Sequence, residues 1–396
     1  MKYIDKLLQG AEVEWKPLGE VCETITDFTA AGSFASNAAN VSYLKHKDYA
    51  LLVRTTDLKS RFSNPNNWVY VDEHAFEYLW RVNLDRESII LPNVGNCGEV
   101  YYCIPDLLPH EKCVLAPNAL LVRSELTNNK FLYHLLQGEC FQRELFKITT
   151  STGQTKFNKT NLRKIMIPIP PLGVQEEIVR ILDKFTTLEA ELEAELDCRK
   201  RQYEYYRDRL LSYSSDEVEW KPLKEVTNYQ QPTKYIVNSK EYKDSNPIPV
   251  LTAGKTFILG YTDETDGVYF GSKEPVIIFD DFTTANKWVD FDFKVKSSAM
   301  KLITVKRGAP VMFRYIYHFM NTLPTTAVEG NHKRQWISEF SNKKIPIPPL
   351  AEQERIVRIL DKFDTLTTSI AEGLPREIAL RRQQYNHYRH ELLSFA

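Results

Sequence analysis

Ile167-Pro168-Ile169-Pro170-Pro171-Leu172 returns unchanged as Ile345-Pro346-Ile347-Pro348-Pro349-Leu350. The match runs on through Gln175, Ile178, Val179, Arg180, Ile181, Leu182, Asp183, Lys184 and Phe185, answered by Gln353, Ile356, Val357, Arg358, Ile359, Leu360, Asp361, Lys362 and Phe363. Val13-Glu14-Trp15-Lys16-Pro17-Leu18 likewise returns as Val218-Glu219-Trp220-Lys221-Pro222-Leu223, ahead of each of those segments. Between these bookends, residues 19–160 and 224–340 share almost nothing. A duplicated frame around unlike inserts constrains the chain to two like units that present two different surfaces. The closing phrase Tyr206-Arg207-Asp208-Arg209-Leu210-Leu211-Ser212 returns as Tyr388-Arg389-His390-Glu391-Leu392-Leu393-Ser394, and Tyr3-Ile4-Asp5-Lys6-Leu7-Leu8 carries a fragment of it. The start of the chain therefore reads as the tail of a repeat, as in a two-unit ring cut open. That arrangement predicts a pseudo-two-fold axis, and duplex DNA is the commonest target with matching symmetry.

Composition narrows the class. With 396 residues, 43% apolar and 26% charged, the chain has room for two globular domains and a connector. No stretch approaches the roughly 18 uninterrupted apolar residues of a membrane helix, and the charged N-terminus is no secretory signal. Cys22, Cys97, Cys103, Cys113, Cys140 and Cys198 are irregularly spaced, in neither a zinc pattern nor a disulfide framework. Reduced thiols and a cytoplasmic location are expected. A net charge of -1 gives no global electrostatic case for nucleic acid, so DNA binding has to use local clusters.

The frame is helical. From Val174, apolar residues recur at Ile178, Ile181, Phe185, Leu188 and Leu192, with charged residues between. One four-residue step reaches Leu196, and Tyr203, Tyr206 and Leu210 resume the rhythm. This is a heptad seam with a stutter on a helix of about 38 residues. The second copy runs Ile356, Ile359, Phe363, Leu366, Ile370, Leu374, Ile378, Tyr385, Tyr388 and Leu392, with Gly373 and Pro375 expected to break it. Prolines ahead of each helix enforce an extended approach. Each seam packs either on its own domain or, as its length favours, against the other helix. Tyr203, Tyr206, Arg207, Tyr385, Tyr388 and Arg389 exceed what a two-helix seam buries, which marks them as a docking surface for another protein.

Both inserts alternate β-type runs with turns and then offer a helix. Strands are expected at residues 49–54, 88–91, 100–102 and 119–122, with a helix from Lys130 to Phe146. In the second insert they fall at 249–251, 275–279 and 301–305, with a helix from Ala309 to Met320. Tyr133-His134 and Tyr317-His318 occupy matching places on these helices. Two unlike inserts are therefore expected to share one α/β fold. Their loops hold the side chains that read base edges and phosphates. These are Thr55, Asn93, Asn96, Ser151, Thr152, Gly153, Gln154 and Lys156 in the first insert. In the second they are Thr252, Lys255, Thr283, Thr284, Asn286, Lys287, His332, Lys333 and Arg334. For any one loop taken alone, a solvated turn is the favoured reading. The matched placement of the 151–156 and 330–335 loops, just ahead of both helical frames, carries the case.

Catalysis finds little support. No glycine-rich loop has nucleotide-binding spacing. Glu14-Trp15-Lys16 and Asp280-Asp281 suggest a nuclease site, but Glu-Trp-Lys recurs at both domain approaches, which favours a structural role. His387 and His390 lack a third metal ligand and read as surface or interface, while His134 and His318 read as core or helix-face residues.

Assembled this way, the chain resembles the specificity subunit of type I restriction–modification systems, within the type IC group. The duplicated Ile-Pro-Ile-Pro-Pro-Leu segments carry the resemblance, together with the closing tyrosine phrase and Leu188-Glu189-Ala190-Glu191-Leu192-Glu193-Ala194-Glu195-Leu196, which looks like that group's four-residue helix repeat. The resemblance implies an α+β fold with two α/β target recognition domains, separated by two long antiparallel, coiled-coil-like helices with internal pseudo-two-fold symmetry. The domains would be 1–165 and 216–344, and the helical spacers 166–215 and 345–396. Each domain would read half of a split sequence in double-stranded DNA. The helices would set the gap and dock two modification (methyltransferase) subunits, with restriction/motor subunits joining through the assembled complex. No cofactor is expected in this chain; S-adenosylmethionine would sit in the modification subunit. The alternative from the residues alone is a helical adaptor with two protein-binding modules.

Overall fold

The computed structural model describes residues 3–150, 153–252, 256–324, 334–369 and 372–395. Contacts divide the chain into one unit of Met1–Glu191 with Ile378–Ala396 and a second of Leu192–Glu377. Each unit thus holds the body of one repeat and the tail of the other.

Strands of the first unit are β1 (Glu14–Pro17), β2 (Thr24–Asp27), β3 (Ala50–Val53), β4 (Tyr70–Val71), β5 (Ser88–Pro92), β6 (Tyr101–Cys103), β7 (Cys113–Leu115), β8 (Ala119–Arg123) and β9 (Met166–Ile169). Those of the second are β10 (Glu219–Pro222), β11 (Thr227–Gln230), β12 (Ile248–Leu251), β13 (Ile258–Thr262), β14 (Tyr269–Phe270), β15 (Val276–Asp280), β16 (Asn286–Val289), β17 (Asp292–Val295), β18 (Met300–Val305) and β19 (Lys344–Ile347). One antiparallel sheet has the order β2-β8-β5-β6, and its counterpart β11-β18-β15-β16. A smaller sheet, β4-β3-β7, is answered by β13-β12-β17-β14, with β3–β7 and β12–β17 both parallel. The two inserts share one topology, to which the second adds β14 at the edge.

The bookends meet. β1 pairs with β9 so that Trp15 faces Pro168, and β10 pairs with β19 so that Trp220 faces Pro346. Proline offers no N–H to a ladder, so a two-stranded ribbon is where a strand reading Ile-Pro-Ile can sit. The recurring Glu-Trp-Lys is its partner strand, which is the structural role its repetition suggested.

β5 and β8 are buried along their whole length, as strands covered on both faces must be. Ile89, Leu91, Leu120 and Val122 join Ile178 and Leu182 of the following helix in one core, while Ile90 and Leu121 turn to Leu51 and Val114 in another. In the second unit Ile277, Phe279 and Ile303 pack with Ile356 and Leu360, and Ile278 and Leu302 with Leu251 and Phe293.

The helices correct two expectations. Lys130–Phe146 is not one helix but two, Asn129–Gln137 and Glu139–Ile148, because Gly138 takes an extended conformation and the Gln142 side chain caps the Leu136 carbonyl at 2.7 Å. The Ala309–Met320 helix is Phe313–Met320, since Pro310 and an extended Met312 delay its start. The central helix spans Leu172–Leu210, 39 residues, and only Gln175, Ile178, Val179 and Leu182 on it are fully buried. Its first turns lie on the domain core and, in the same cluster, against Leu392 and Leu393 of the last helix. The expected break falls between Leu350–Thr368 and Gly373–Leu393. Gly373 has φ +80°, and a Cβ there would sit 2.5 Å from the Thr365 carbonyl, so the break requires glycine.

Candidate nucleic-acid interface

Strand register makes the two inserts comparable residue by residue. Ile89 faces Val122 as Ile277 faces Ile303, which places Asn93 at the position of Asp281 and Leu120 at that of Lys301. The hydrogen bonds agree. Asn93 N–H donates to Asn118 O (3.1 Å) and Asp281 N–H to Ala299 O (3.2 Å). Asn93 O then accepts from Phe157 N–H (3.1 Å), as Asp281 O accepts from Gln335 N–H (2.9 Å). Lys156 and Arg334 are therefore equivalent: each is exposed, one residue before the bond that docks the late loop onto the end of the inner strand. Two sequence-unlike loops converge on one junction in each unit.

The other predicted readers gather around these junctions. In the first unit Gly95 N–H donates to Thr155 O (2.8 Å), beside the exposed Gly153 and Gln154. Thr55 opens the Thr55–Lys59 helix after β3, and Lys59 Nζ reaches Glu99 at 2.7 Å, tying that helix to the Asn93–Asn96 loop. Burial pushes the Glu99 carboxyl up, but bonds from Lys59 and Tyr101 outweigh it and hold the group below the usual range. In the second unit Thr252 occupies the matching end of β12, hydrogen-bonded to Phe257 O (2.9 Å), and Lys287 Nζ stands 5.9 Å from the Phe257 ring. Asp280 shapes the adjoining turn: its carboxylate accepts from Phe282 N–H (2.9 Å) and Thr283 Oγ1 (2.6 Å). Thr284 is 2% exposed with φ +61°, so the fold turns it inward, where it shapes the turn. Asn286 begins β16, half-buried, and Lys287 is exposed. Ser151, Thr152, Lys255, His332 and Lys333 lie outside the described residues.

A polar cleft of about 470 Å³ beside Thr55 was not anticipated; Lys45, Arg54, Asn64, Asn66, Asn67 and Trp68 help line it. Its signal was legible as the run Asn64-Pro65-Asn66-Asn67. The Asp280-Asp281 nuclease reading fails locally, because Asp280 caps its turn and Asp281 is buried against Lys301. No cluster able to hold a metal occurs among the described residues.

The tyrosine-rich helix ends have an internal use. Tyr385 Oη lies 3.0 Å from His134 Nδ1, whose Nε2 is 3.1 Å from Asp183. Tyr203 Oη lies 3.2 Å from His318 Nδ1, whose Nε2 is 2.7 Å from Asp361. Tyr388 stacks on Phe185 and Tyr206 on Phe363, both at 24°. Arg389 covers Tyr385 (5.1 Å) and Arg207 covers Tyr203 (5.7 Å). Arg382–Glu189 (2.6 Å) extends the first-unit contact and shows the two segments antiparallel. Both histidines are buried, and each tail is gripped by the same tyrosine–histidine–aspartate clasp. Gln175 and Gln353 add a second duplicated device. Gln175 accepts from Asn128 N–H (3.0 Å) and donates to Pro170 O (2.8 Å). Gln353 accepts from Met312 N–H (2.8 Å) and donates to Pro348 O (2.8 Å).

Two like units with unlike loops on a common frame define the class, a duplicated two-domain protein. Residues 11–197 and 215–380 match the family model for the type I restriction modification DNA specificity domain, and the chain belongs to that family. It is 30% identical to a type I restriction enzyme specificity subunit of Haemophilus influenzae, an alignment covering 100% of this chain and 98% of that one. It is 59% identical over 197 residues to the EcoR124I/EcoR124II specificity subunit of Escherichia coli, covering 48% of this chain and 47% of the relative. The crystal structure of a type I restriction–modification S subunit from M. genitalium shares the fold, with TM-score 0.55 at 13% identity over 98% of this chain and 97% of that one. The adaptor alternative gives way to this membership. No helix among the described residues is long and apolar enough to cross a membrane.

Proposed function

We propose that this chain reads a bipartite sequence in double-stranded DNA for a type I restriction–modification complex, one half-site per unit. The supporting observation is the duplicated loop junction, which sets Lys156 and Arg334 at equivalent exposed positions in inserts that otherwise differ. Basic side chains at such a point suit phosphate or guanine contact, and the flanking Asn, Gln and Thr residues suit base edges. The exposed parts of Tyr206, Arg389 and their neighbours, beyond what the clasps bury, would dock two modification subunits, through which the motor–nuclease subunits join. S-adenosylmethionine chemistry belongs to the modification subunits, and this chain's own residues bind and position. The complex would work in the cytoplasm. Net charge of -1 fits a reader that depends on local contacts and whose non-specific affinity is weak.

Methylome sequencing of cells expressing the chain with its modification partners tests this directly. A split motif is expected. Replacing residues 224–340 by the corresponding insert of another family member should change one half of that motif and leave the other intact. A change in both halves, or in neither, would contradict the division of labour.

A further inference from the structure

Lys301 and Asp281 are 0% and 1% exposed, with Nζ and Oδ2 3.1 Å apart. Among the described residues neither atom has a hydrogen-bond partner, so Nζ and Oδ2 meet there only as an ion pair. Burying such a pair costs more than its attraction returns unless the geometry and the remaining hydrogen bonds are excellent. The first unit shows that the fold does not need it, since Asn93 and Leu120 fill the equivalent places. What distinguishes Asp281 is its other oxygen. Asp281 Oδ1 accepts from Trp336 N–H at 2.8 Å, while its main-chain oxygen accepts from Gln335 N–H at 2.9 Å. In the first unit the buried side-chain oxygen of Asn93 has no partner among the described residues, and the late loop is held by main-chain bonds, Phe157 N–H to Asn93 O and Gly95 N–H to Thr155 O.

We propose that Asp281 is a positioning residue for recognition of the second half-site. It anchors the late loop at two successive amides and so sets where Arg334 stands beside the Thr283–Lys287 turn. The proposal rests on the reading of that junction as the second half-site reader. A positioning role needs the acceptor at Oδ1, whereas a purely structural role needs only a filled, electrically balanced core. The two are separable, because the charges can be removed together while the acceptor is kept or lost.

The test compares two double variants of the full chain in complex with its modification subunits. Asp281→Asn with Lys301→Leu imports the first unit's pair and keeps an acceptor; Asp281→Ala with Lys301→Leu is equally neutral but lacks one. Each complex methylates plasmid libraries randomised in one half-site with the other fixed. The Ala/Leu variant should lose roughly tenfold or more of its second-half discrimination, the scale of one base contact, with first-half discrimination unchanged. The Asn/Leu variant should keep second-half discrimination within about threefold of the parent on that scale. Equal behaviour of the two variants, or parallel loss in both halves, would overturn the proposal. A parent complex with no split motif would overturn the half-site reading itself.

Discussion

The frame and the inserts repeat at different levels. In the frame the side chains themselves recur: Gln175 and Gln353 make the same pair of bonds, and Tyr385–His134–Asp183 is answered atom for atom by Tyr203–His318–Asp361. In the inserts only backbone register recurs: Asn93 and Asp281, Leu120 and Lys301, Phe157 and Gln335 share positions but differ in charge or polarity. The contrast teaches what each part has to conserve within one chain. A frame that grips the tail of the other repeat depends on specific polar contacts. A reader has only to keep its loops converging, and its exposed residues can then differ between units.

Lengthening the frame should have the largest effect. Four residues inserted within Leu188–Leu196 add about 6 Å to the helix and turn its seam by about 40°. A four-residue stutter nearly preserves the seam, so folding and partner binding should persist. The non-specific gap between half-sites is expected to grow by one base pair or two, abolishing modification at parental spacing with both half-sites unchanged. Methylome sequencing of the insertion variant decides it. An active variant with an unaltered gap would assign the spacing to something other than this helix.

The duplicated glutamines should come next. Gln175 and Gln353 are 1% and 0% exposed, and each satisfies a helix-start amide and a proline carbonyl, Gln353 donating also to Pro310 O at 3.1 Å. Replacement by leucine leaves a buried proline carbonyl and a partly buried amide unpaired, a cost of about 2–4 kcal/mol. Urea unfolding of the full chain should show similar losses for the two variants. A loss at one position alone would show that the frame repeats in sequence without repeating in energetics.

Acid should weaken the first-unit clasp. Burial depresses the His134 imidazole below its ordinary 6.5, outweighing its bond to Asp183. Burial also pushes the Asp183 carboxyl up, but bonds from His134 and Lys130 prevail and hold it below its ordinary 3.8. For both groups the unfolded chain takes up its proton first. Stability is therefore complete above pH 6.5 and falls as pH drops, through histidine first and through aspartate below 3.8. Between pH 7.5 and 5.5 the histidine contribution is at most about 1.4 kcal/mol per pH unit. His134→Asn should flatten that slope; an unchanged slope would mean that another group titrates there.

The sequence made the frame legible because its repeats fix side chains, and it exposed both helices, the break at Gly373 and the shared insert topology. It did not show that β1 pairs with β9, since an Ile-Pro-Ile strand and a Glu-Trp-Lys strand gain meaning only from each other. Gly138 went unread as a break because its neighbours keep helical periodicity on either side. Tyr203 and Tyr385 read as docking surface because their histidine partners lie 115 and 251 residues away. The equivalence of Lys156 and Arg334 is invisible in sequence, because it rests on main-chain hydrogen bonds between residues of different types.

The central claim is that two unlike inserts set one basic reader each at the same point of the same frame. Lys156→Ala and Arg334→Ala, assayed separately by half-site methylation in the full complex, test it most directly. Each variant should lose about 1–3 kcal/mol of discrimination or affinity, confined to one half-site, and the two should affect opposite halves. Both variants impairing the same half, or neither impairing any, would contradict the account.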